Sequence, residues 1–193
     1  MKRLLSTAAL LAAGTAPAFA HVGVGSTGSF FAGLGHPVSG LDHITVMVAV
    51  GLWAALKGGK ALWAWPAAFV GVMLIGGAMG MEHFDLPFVE PAILASVVAL
   101  GLLVALAVDL PVAVGAAIIG AFALFHGYAH GAEAGESLGG LGYMAGFAIS
   151  TAALHAVGIG FAVFAARNSM RPLVRVAGAV CVIIGAGLIG GVI

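Results

Sequence analysis

The chain has 193 residues with seven basic and seven acidic side chains, and 62% of its residues are apolar while only 7% are charged. Soluble globular domains carry about 25% charged residues, so the composition excludes a soluble enzyme module and indicates one all-α domain whose partner is the lipid bilayer, not a nucleic acid. The single cysteine, Cys181, excludes an intrachain disulfide and a Cys-x-x-Cys metal site.

The first twenty residues have the organisation of a secretory signal peptide. Two basic residues precede a short apolar stretch over residues 4–13, and the small-residue cleavage motif Ala-Phe-Ala ends at Ala20. The apolar stretch is too short to cross a membrane. We therefore expect residues 1–20 to be a cleaved signal peptide, residues 21–193 to form a single transmembrane domain, and His21 to be the first residue of the mature chain.

Six apolar segments follow, and each approaches the ~20 residues that span a hydrocarbon core. Turn-forming and polar residues separate them. The predicted helices cover residues 38–56, 61–81, 89–108, 111–130, 139–166 and 172–192. The sequence thus predicts a six-helix transmembrane bundle.

Small residues four positions apart recur in these segments and predict close helix packing. The glycine pairs are Gly76 and Gly80, Gly127 and Gly131, Gly142 and Gly146, and Gly187 and Gly191.

Charge is divided unevenly between the two predicted ends of the bundle. With the mature N-terminus outside, every Lys and Arg after the signal peptide falls at the inner end, in agreement with the positive-inside rule. Most acids fall at the outer end, where they would attract cations. These acids are Asp42, Glu82, Asp85, Glu90, Glu133 and Glu136. We expect a multi-pass protein of the bacterial inner membrane with a periplasmic mature N-terminus.

The sequence HPVSGLDH, from His36 to His43, opens the first segment. Pro37 is typical of a first helical turn, so we expect His36 at or just before the N-cap of this helix. His36 and His43 are seven residues apart and would share one helix face. Asp42, next to His43, can ligate a metal ion or orient the histidine that does.

A second motif, FHGYAHGAE, lies in the fourth segment. His126, His130 and Glu133 have the spacing i, i+4, i+7 and therefore lie on one helix face. The predicted topology places them at the outer end of the bundle, at the same depth as the first motif. Intramembrane ionisable residues are functional by default, so we expect the two motifs to form one metal path.

Four other residues are weaker candidates. Glu90, before Pro91 at the outer start of the third segment, is expected close to the path. His155 lies in the middle of the fifth segment, where an interhelical hydrogen bond is an equally good explanation. His83, in an outer loop, is better explained as a solvated residue. His21 could chelate an ion through its α-amine and imidazole, although a terminal residue without a role is also consistent with its position.

The candidate ligands also indicate the kind of metal. Imidazole and carboxylate without thiolate favour a borderline divalent ion such as nickel, cobalt, zinc or iron(II), whereas calcium and magnesium sites use oxygen ligands. The methionines, Met73 among them, are expected to fill gaps in the core.

Taken together, HPVSGLDHITVMVAVGLWA and FALFHGYAHGAEA resemble the HupE/UreJ family of small nickel permeases, which are associated with hydrogenase and urease maturation. The resemblance covers nearly the whole chain after the signal peptide. It implies uptake of Ni²⁺, or Co²⁺, into the cytoplasm for metalloenzyme maturation, with nickel as the transported substrate, no permanently bound cofactor and no enzymatic activity. It places the family's motif residues at His36, Asp42, His43, His126, His130 and Glu133.

The energy source is indicated by what the sequence lacks. There is no G-x-x-x-x-G-K-[ST] loop and no soluble domain, so we expect no ATP hydrolysis by the chain, and no ATPase subunit is evident. A divalent cation gains about 4.6 kcal/mol on crossing a potential of about 100 mV, so facilitated diffusion suffices. Proton coupling through Asp42, Glu90 or Glu133 and assembly into a homo-oligomer remain open.

Two other functions are compatible with these residues. One is an intramembrane metal-dependent hydrolase, with a zinc-bound water held by histidines and a carboxylate. The other is a haem-binding electron carrier, with His43 and His130 as axial ligands on facing helices.

Overall fold

The computed structural model describes residues 30–134 and 138–193, and the regular structure in these two ranges is entirely helical. Seven α-helices and one 3₁₀ turn occur in them. In chain order they are α1 (Phe30–Gly35), the 3₁₀ turn (His36–Val38), α2 (Leu41–Lys57), α3 (Ala61–Met81), α4 (Val89–Ala105), α5 (Val112–Ala134), α6 (Leu138–Arg167) and α7 (Pro172–Ile189). The predicted signal peptide, its cleavage after Ala20, and His21 lie outside the described residues.

Helices α2 to α7 occupy the six segments that hydropathy predicts, with small shifts at their ends. Helices α3, α5, α6 and α7 are long and apolar enough to cross a bilayer, and α2 makes a fifth candidate if it is counted with the bent segment before it. Helix α4 has 17 residues, or ~25 Å of helix against a hydrocarbon core of ~30 Å. The described residues therefore support a multi-pass membrane protein, and six complete crossings stay a prediction.

The first segment departs from expectation at its outer end. Helix α2 begins at Leu41 with an extended Gly40 as its N-cap, so the prediction that His36 lies at the N-cap of this helix is wrong. His36 begins the 3₁₀ turn, in which Pro37 supplies a helix-compatible φ. The backbone N–H and hydroxyl of Ser39 donate to the His36 carbonyl at 2.9 and 2.7 Å. Because the extended Gly40 interrupts the helical ladder, α1 and the turn are bent 79° from α2.

Helix α2 is the centre of the bundle. Ten of its 17 residues are buried, and they are distributed around the whole helix rather than along one stripe. A helix that is apolar all round is typical of a position enclosed by other helices, and α2 packs against α3, α4, α6 and α7.

Glycines set the packing of α3 against α5. A Cβ atom at Gly76 or Gly80 would collide with the backbone of α5, and a Cβ at Gly127 or Gly131 would collide with the backbone of α3. The two backbones therefore approach more closely than larger residues permit, as the small-residue spacing predicts.

The other two glycine pairs, Gly142 with Gly146 and Gly187 with Gly191, differ in what they pack against. Gly146 of α6 lies against the backbone of Phe30, which brings α1 onto α6. Gly187, by contrast, has the following residues Val192 and Ile193 as its only near neighbours among the described residues, and Gly191 has open space around it. The prediction of helix packing is therefore wrong for Gly187 and Gly191, the second of which lies beyond the end of α7.

The two ends of the bundle are sorted as the charge pattern predicts. At one end, Lys57 Nζ donates to Asp109 Oδ1 at 2.5 Å, and Arg175 Nε donates to the last carbonyl of α4 at 2.8 Å. At the other end, the Tyr128 hydroxyl of α5 donates to the Phe84 carbonyl in the loop between α3 and α4. The basic end and the histidine end are thus opposite ends of one bundle.

The glycine packing gives a direct test. We expect Gly76→Ala to destabilise the protein by about 1–3 kcal/mol, because its Cβ would overpack the α3–α5 contact. Gly71→Ala is the matched control, since a Cβ at Gly71, on the same helix, meets nothing within 4 Å. Thermal unfolding of the detergent-purified variants is the measurement. Equal unfolding midpoints for the two variants would contradict the packing assignment.

Candidate metal site

Three histidines from different parts of the fold meet at the outer end of the bundle. His36 comes from the 3₁₀ turn, His43 from α2 and His130 from α5, and one ring nitrogen of each lies within 4.8 Å of those of the other two. His43 and His130 are buried, and His36 is half-buried. Two nitrogen ligands of one zinc-like ion lie at most about 4 Å apart, so small side-chain movements would bring these nitrogens into coordination distance.

The orientation of His43 is set by its neighbour in sequence. Asp42 Oδ1 lies 2.8 Å from His43 Nδ1. A carboxylate on the Nδ1 side of the ring, with Nε2 left to face the ion, is the usual arrangement behind a metal-binding histidine.

His130 also has a carboxylate beside its ring, from a residue one turn further along α5. Glu133 Oε2 lies 3.4 Å from His130 Nδ1. This is a looser contact than that of Asp42, and Glu133 is partly solvent-exposed, but the carboxylate again lies on the Nδ1 side of the ring while Nε2 faces His43.

The other ring nitrogens of the two histidines face each other. The Nε2 atoms of His43 and His130 are in direct contact. A neutral imidazole has one nitrogen that donates and one that accepts, whereas a bound metal ion takes a lone pair from each ring. The contact therefore places two potential metal ligands side by side.

Aromatic rings pack around His36 and the rest of the three-histidine cluster. The His36 ring centroid lies 4.5 Å from that of His130, and Tyr143 and Phe147 of α6 lie 5.9 and 6.0 Å from it. The Phe147 ring also packs 4.5 Å from that of His130. These walls exclude water from one side of the cluster, where the electrostatic attraction for a cation is correspondingly stronger.

His126 lies one turn below His130 and is held by a different partner. The Ser96 hydroxyl of α4 lies 2.6 Å from the Ile93 carbonyl and 3.0 Å from His126 Nε2. Its single proton goes to the carbonyl, so Ser96 Oγ accepts from His126 Nε2–H, and His126 Nδ1 keeps its lone pair. The ring centroid is 5.2 Å from that of His43, which places His126 just below the three-histidine cluster.

The remaining candidates lie apart from this cluster. Glu90 is exposed in the first turn of α4, and His83 is exposed in the loop before it. His155 is buried deep in α6. The three-histidine cluster includes none of these residues.

Three contributors could not be singled out from the sequence. Ser96, Tyr143 and Phe147 shape the site, yet aromatic residues and serine in apolar helices more often serve packing alone. The one available signal was that Ser96 is the only hydroxyl-bearing residue of α4.

The residues do not fit a haem. Axial histidines bind iron from opposite faces of a porphyrin, which must lie between them. The contact between the His43 and His130 nitrogens, with His36, His126 and Phe147 packed around them, has no room for such a ring.

Comparison with known proteins identifies relatives of the whole chain. Residues 8–188 match the family model described as HupE / UreJ protein. The chain is 49% identical over 174 residues to Protein HupE of Rhizobium leguminosarum bv. viciae, and the match covers 90% of this chain and 91% of that protein. No solved structure matches the chain.

The role of Asp42 can be tested by metal binding. We expect Asp42→Asn to lower the affinity for Ni²⁺ by about 10–100-fold, because the change removes the carboxylate charge beside the His43 ring. The measurement is equilibrium dialysis of the purified protein against radioactive nickel. Asp109→Asn is the matched control, since this exposed carboxylate pairs with Lys57 at the opposite end. Equal affinities in the two variants would show that Asp42 does not orient a ligand.

Proposed function

Because the chain belongs to the HupE / UreJ family, which is associated with nickel uptake for hydrogenase and urease, we propose that it carries Ni²⁺, or the chemically similar Co²⁺, across the inner membrane into the cytoplasm. The observation that carries this proposal is the contact between the Nε2 atoms of His43 and His130, each ring having a carboxylate beside its Nδ1 atom.

The donor chemistry supports a borderline divalent ion. The cluster offers imidazole nitrogens with carboxylates behind them, and the described residues around it contribute no thiolate. Such ligands suit nickel, cobalt and zinc better than calcium, magnesium or copper(I). The family association then favours nickel among the three.

The position of the cluster supports entry from the acidic end. Asp42 and Glu133 flank the cluster, while Lys57, Arg175 and the other basic residues are at the far end. An approaching cation is therefore attracted to the mouth with the histidines. The membrane potential favours its onward movement by about 4.6 kcal/mol per divalent ion at about 100 mV, so we propose facilitated diffusion.

The proposal includes the path residues and their location in the cell. His36, Asp42, His43, His130 and Glu133 form the entry site, with His126 below it and Glu90 at its acidic rim. A signal peptide over residues 1–20 would direct the mature N-terminus to the periplasm. The family is one of transport and accessory proteins, which favours transport over the hydrolase.

Uptake by the purified protein tests the function. In proteoliposomes with a negative interior, we expect saturable nickel uptake that falls at least about tenfold in His43→Ala or His130→Ala, because each change removes a direct ligand and loss of an outer partner alone costs about 10–100-fold. The control is Cys181→Ala, a buried position between α7 and α4. Wild-type uptake in both histidine variants would refute the site, and no uptake by the wild type would refute the function.

Topology is tested separately in cells. Reporter fusions after Gly59 and after Ser137 should report opposite sides of the membrane, with the first cytoplasmic, because the basic loops face inwards. Fusions that report the same side would contradict the six-crossing topology.

A further inference from the structure

A second group of potential ligands lies deeper in the bundle, around His155 of α6. The side chain is 1% exposed, and neither ring nitrogen has a hydrogen-bond partner among the described residues. The interhelical hydrogen bond that would explain a buried histidine is therefore not made by the part of the chain described. A buried polar group without a partner is costly and requires an explanation.

Two residues near His155 offer further atoms that could ligate a metal ion. Thr151 is one turn earlier on the same face of α6, and its hydroxyl donates to Met73 Sδ of α3 at 3.7 Å. Met73 and Thr151 are fully buried. A hydroxyl and a thioether thus touch across the α3–α6 contact, and the His155 imidazole lies one turn along α6 from the hydroxyl.

A continuous column of rings connects this group with the outer cluster. Ring centroids are 4.6 Å apart from His130 to His43 and 5.2 Å apart from His43 to His126. They are 5.9 Å apart from His126 to Phe69 and 5.0 Å apart from Phe69 to His155. His126, midway along the column, also has an Nδ1 without a hydrogen-bond partner among the described residues.

We infer that His155 and Met73, with Thr151 beside them, form a second, inner position for the transported cation, reached from the three-histidine cluster past His126. The inference rests on the proposed function and deepens it, since it gives the cation a place to stop inside the bundle. It also gives Met73 a role other than filling space.

The chemistry of the inner position suits passage rather than storage. Its ligands are all neutral, whereas two carboxylates support the outer cluster, so an ion is bound less tightly there. Conduction requires binding that is favourable enough to enter and weak enough to leave. Thioether and imidazole also discriminate against calcium and magnesium, which prefer oxygen ligands.

A cavity lies further along α6, towards the basic end. Ala162 is seven residues beyond His155 on α6 and so lies on the same helix face. It lines a cavity of about 170 Å³ that Ala55, Leu56, Ala166, Arg171 and Val174 also line. An ion leaving His155 along this face of α6 would arrive at this cavity.

The experiment separates the two positions by removing each in turn. His43→Ala combined with His130→Ala removes the outer cluster, and His155→Gln removes the inner imidazole. Met73→Leu removes the thioether at nearly constant volume, and Met144→Leu, another buried methionine, is its matched control. Each purified variant is checked for a cooperative thermal transition and then loaded with saturating Ni²⁺.

The readouts are bound nickel and its ligand atoms. We expect two ions per wild-type chain and one ion in the outer-cluster variant, with a sulfur neighbour in the X-ray absorption spectrum. Adding Met73→Leu to that variant should remove the sulfur signal, whereas adding Met144→Leu should not. In proteoliposomes, His155→Gln should lower the maximal uptake rate at least about tenfold and leave the half-saturating nickel concentration unchanged, because capture occurs at the outer cluster.

Two results would overturn the inference in distinguishable ways. If the wild type binds and transports nickel but the outer-cluster variant binds none, the inner position does not exist and the proposed function stands. If the wild type neither binds nor transports nickel, the proposed function fails and the inner position fails with it.

Discussion

The fold brings histidine nitrogens from separate elements into contact inside an apolar bundle. The Nε2 atoms of His43 and His130 touch, and Asp42 and Glu133 lie on the Nδ1 sides of their rings. Polar groups buried in an apolar environment cost free energy unless they are paired. In the proposed function, a bound cation supplies that pairing.

Two backbone features make the contact possible. The glycines of α3 and α5 allow these helices to approach at backbone distance, which fixes α5 and therefore His130. The 79° bend after the 3₁₀ turn returns His36 over the end of α2, towards His43 and His130. The ligands thus depend on residues with little or no side chain, because larger side chains would move the helices apart.

The charge pattern gives the site a direction. Carboxylates flank the histidine cluster, and the ion pair of Lys57 with Asp109 lies at the opposite end. Between them, the column from His126 to His155 contains neutral groups alone. Under the proposed function, such an arrangement would hold a cation most firmly where it enters and less firmly further in, as conduction requires.

Sequence alone determined the helical class, the six apolar segments, the charge asymmetry and both histidine motifs, because hydropathy and periodicity are local properties of the chain. It placed His36 and His43 together for the wrong reason, since a shared helix face was expected and a bent segment was found. Only the tertiary structure paired His43 with His130, gave His126 its Ser96 partner and placed Thr151 against Met73. These contacts join residues 30 to 87 positions apart, and their geometry depends on how helices pack, which no local pattern encodes.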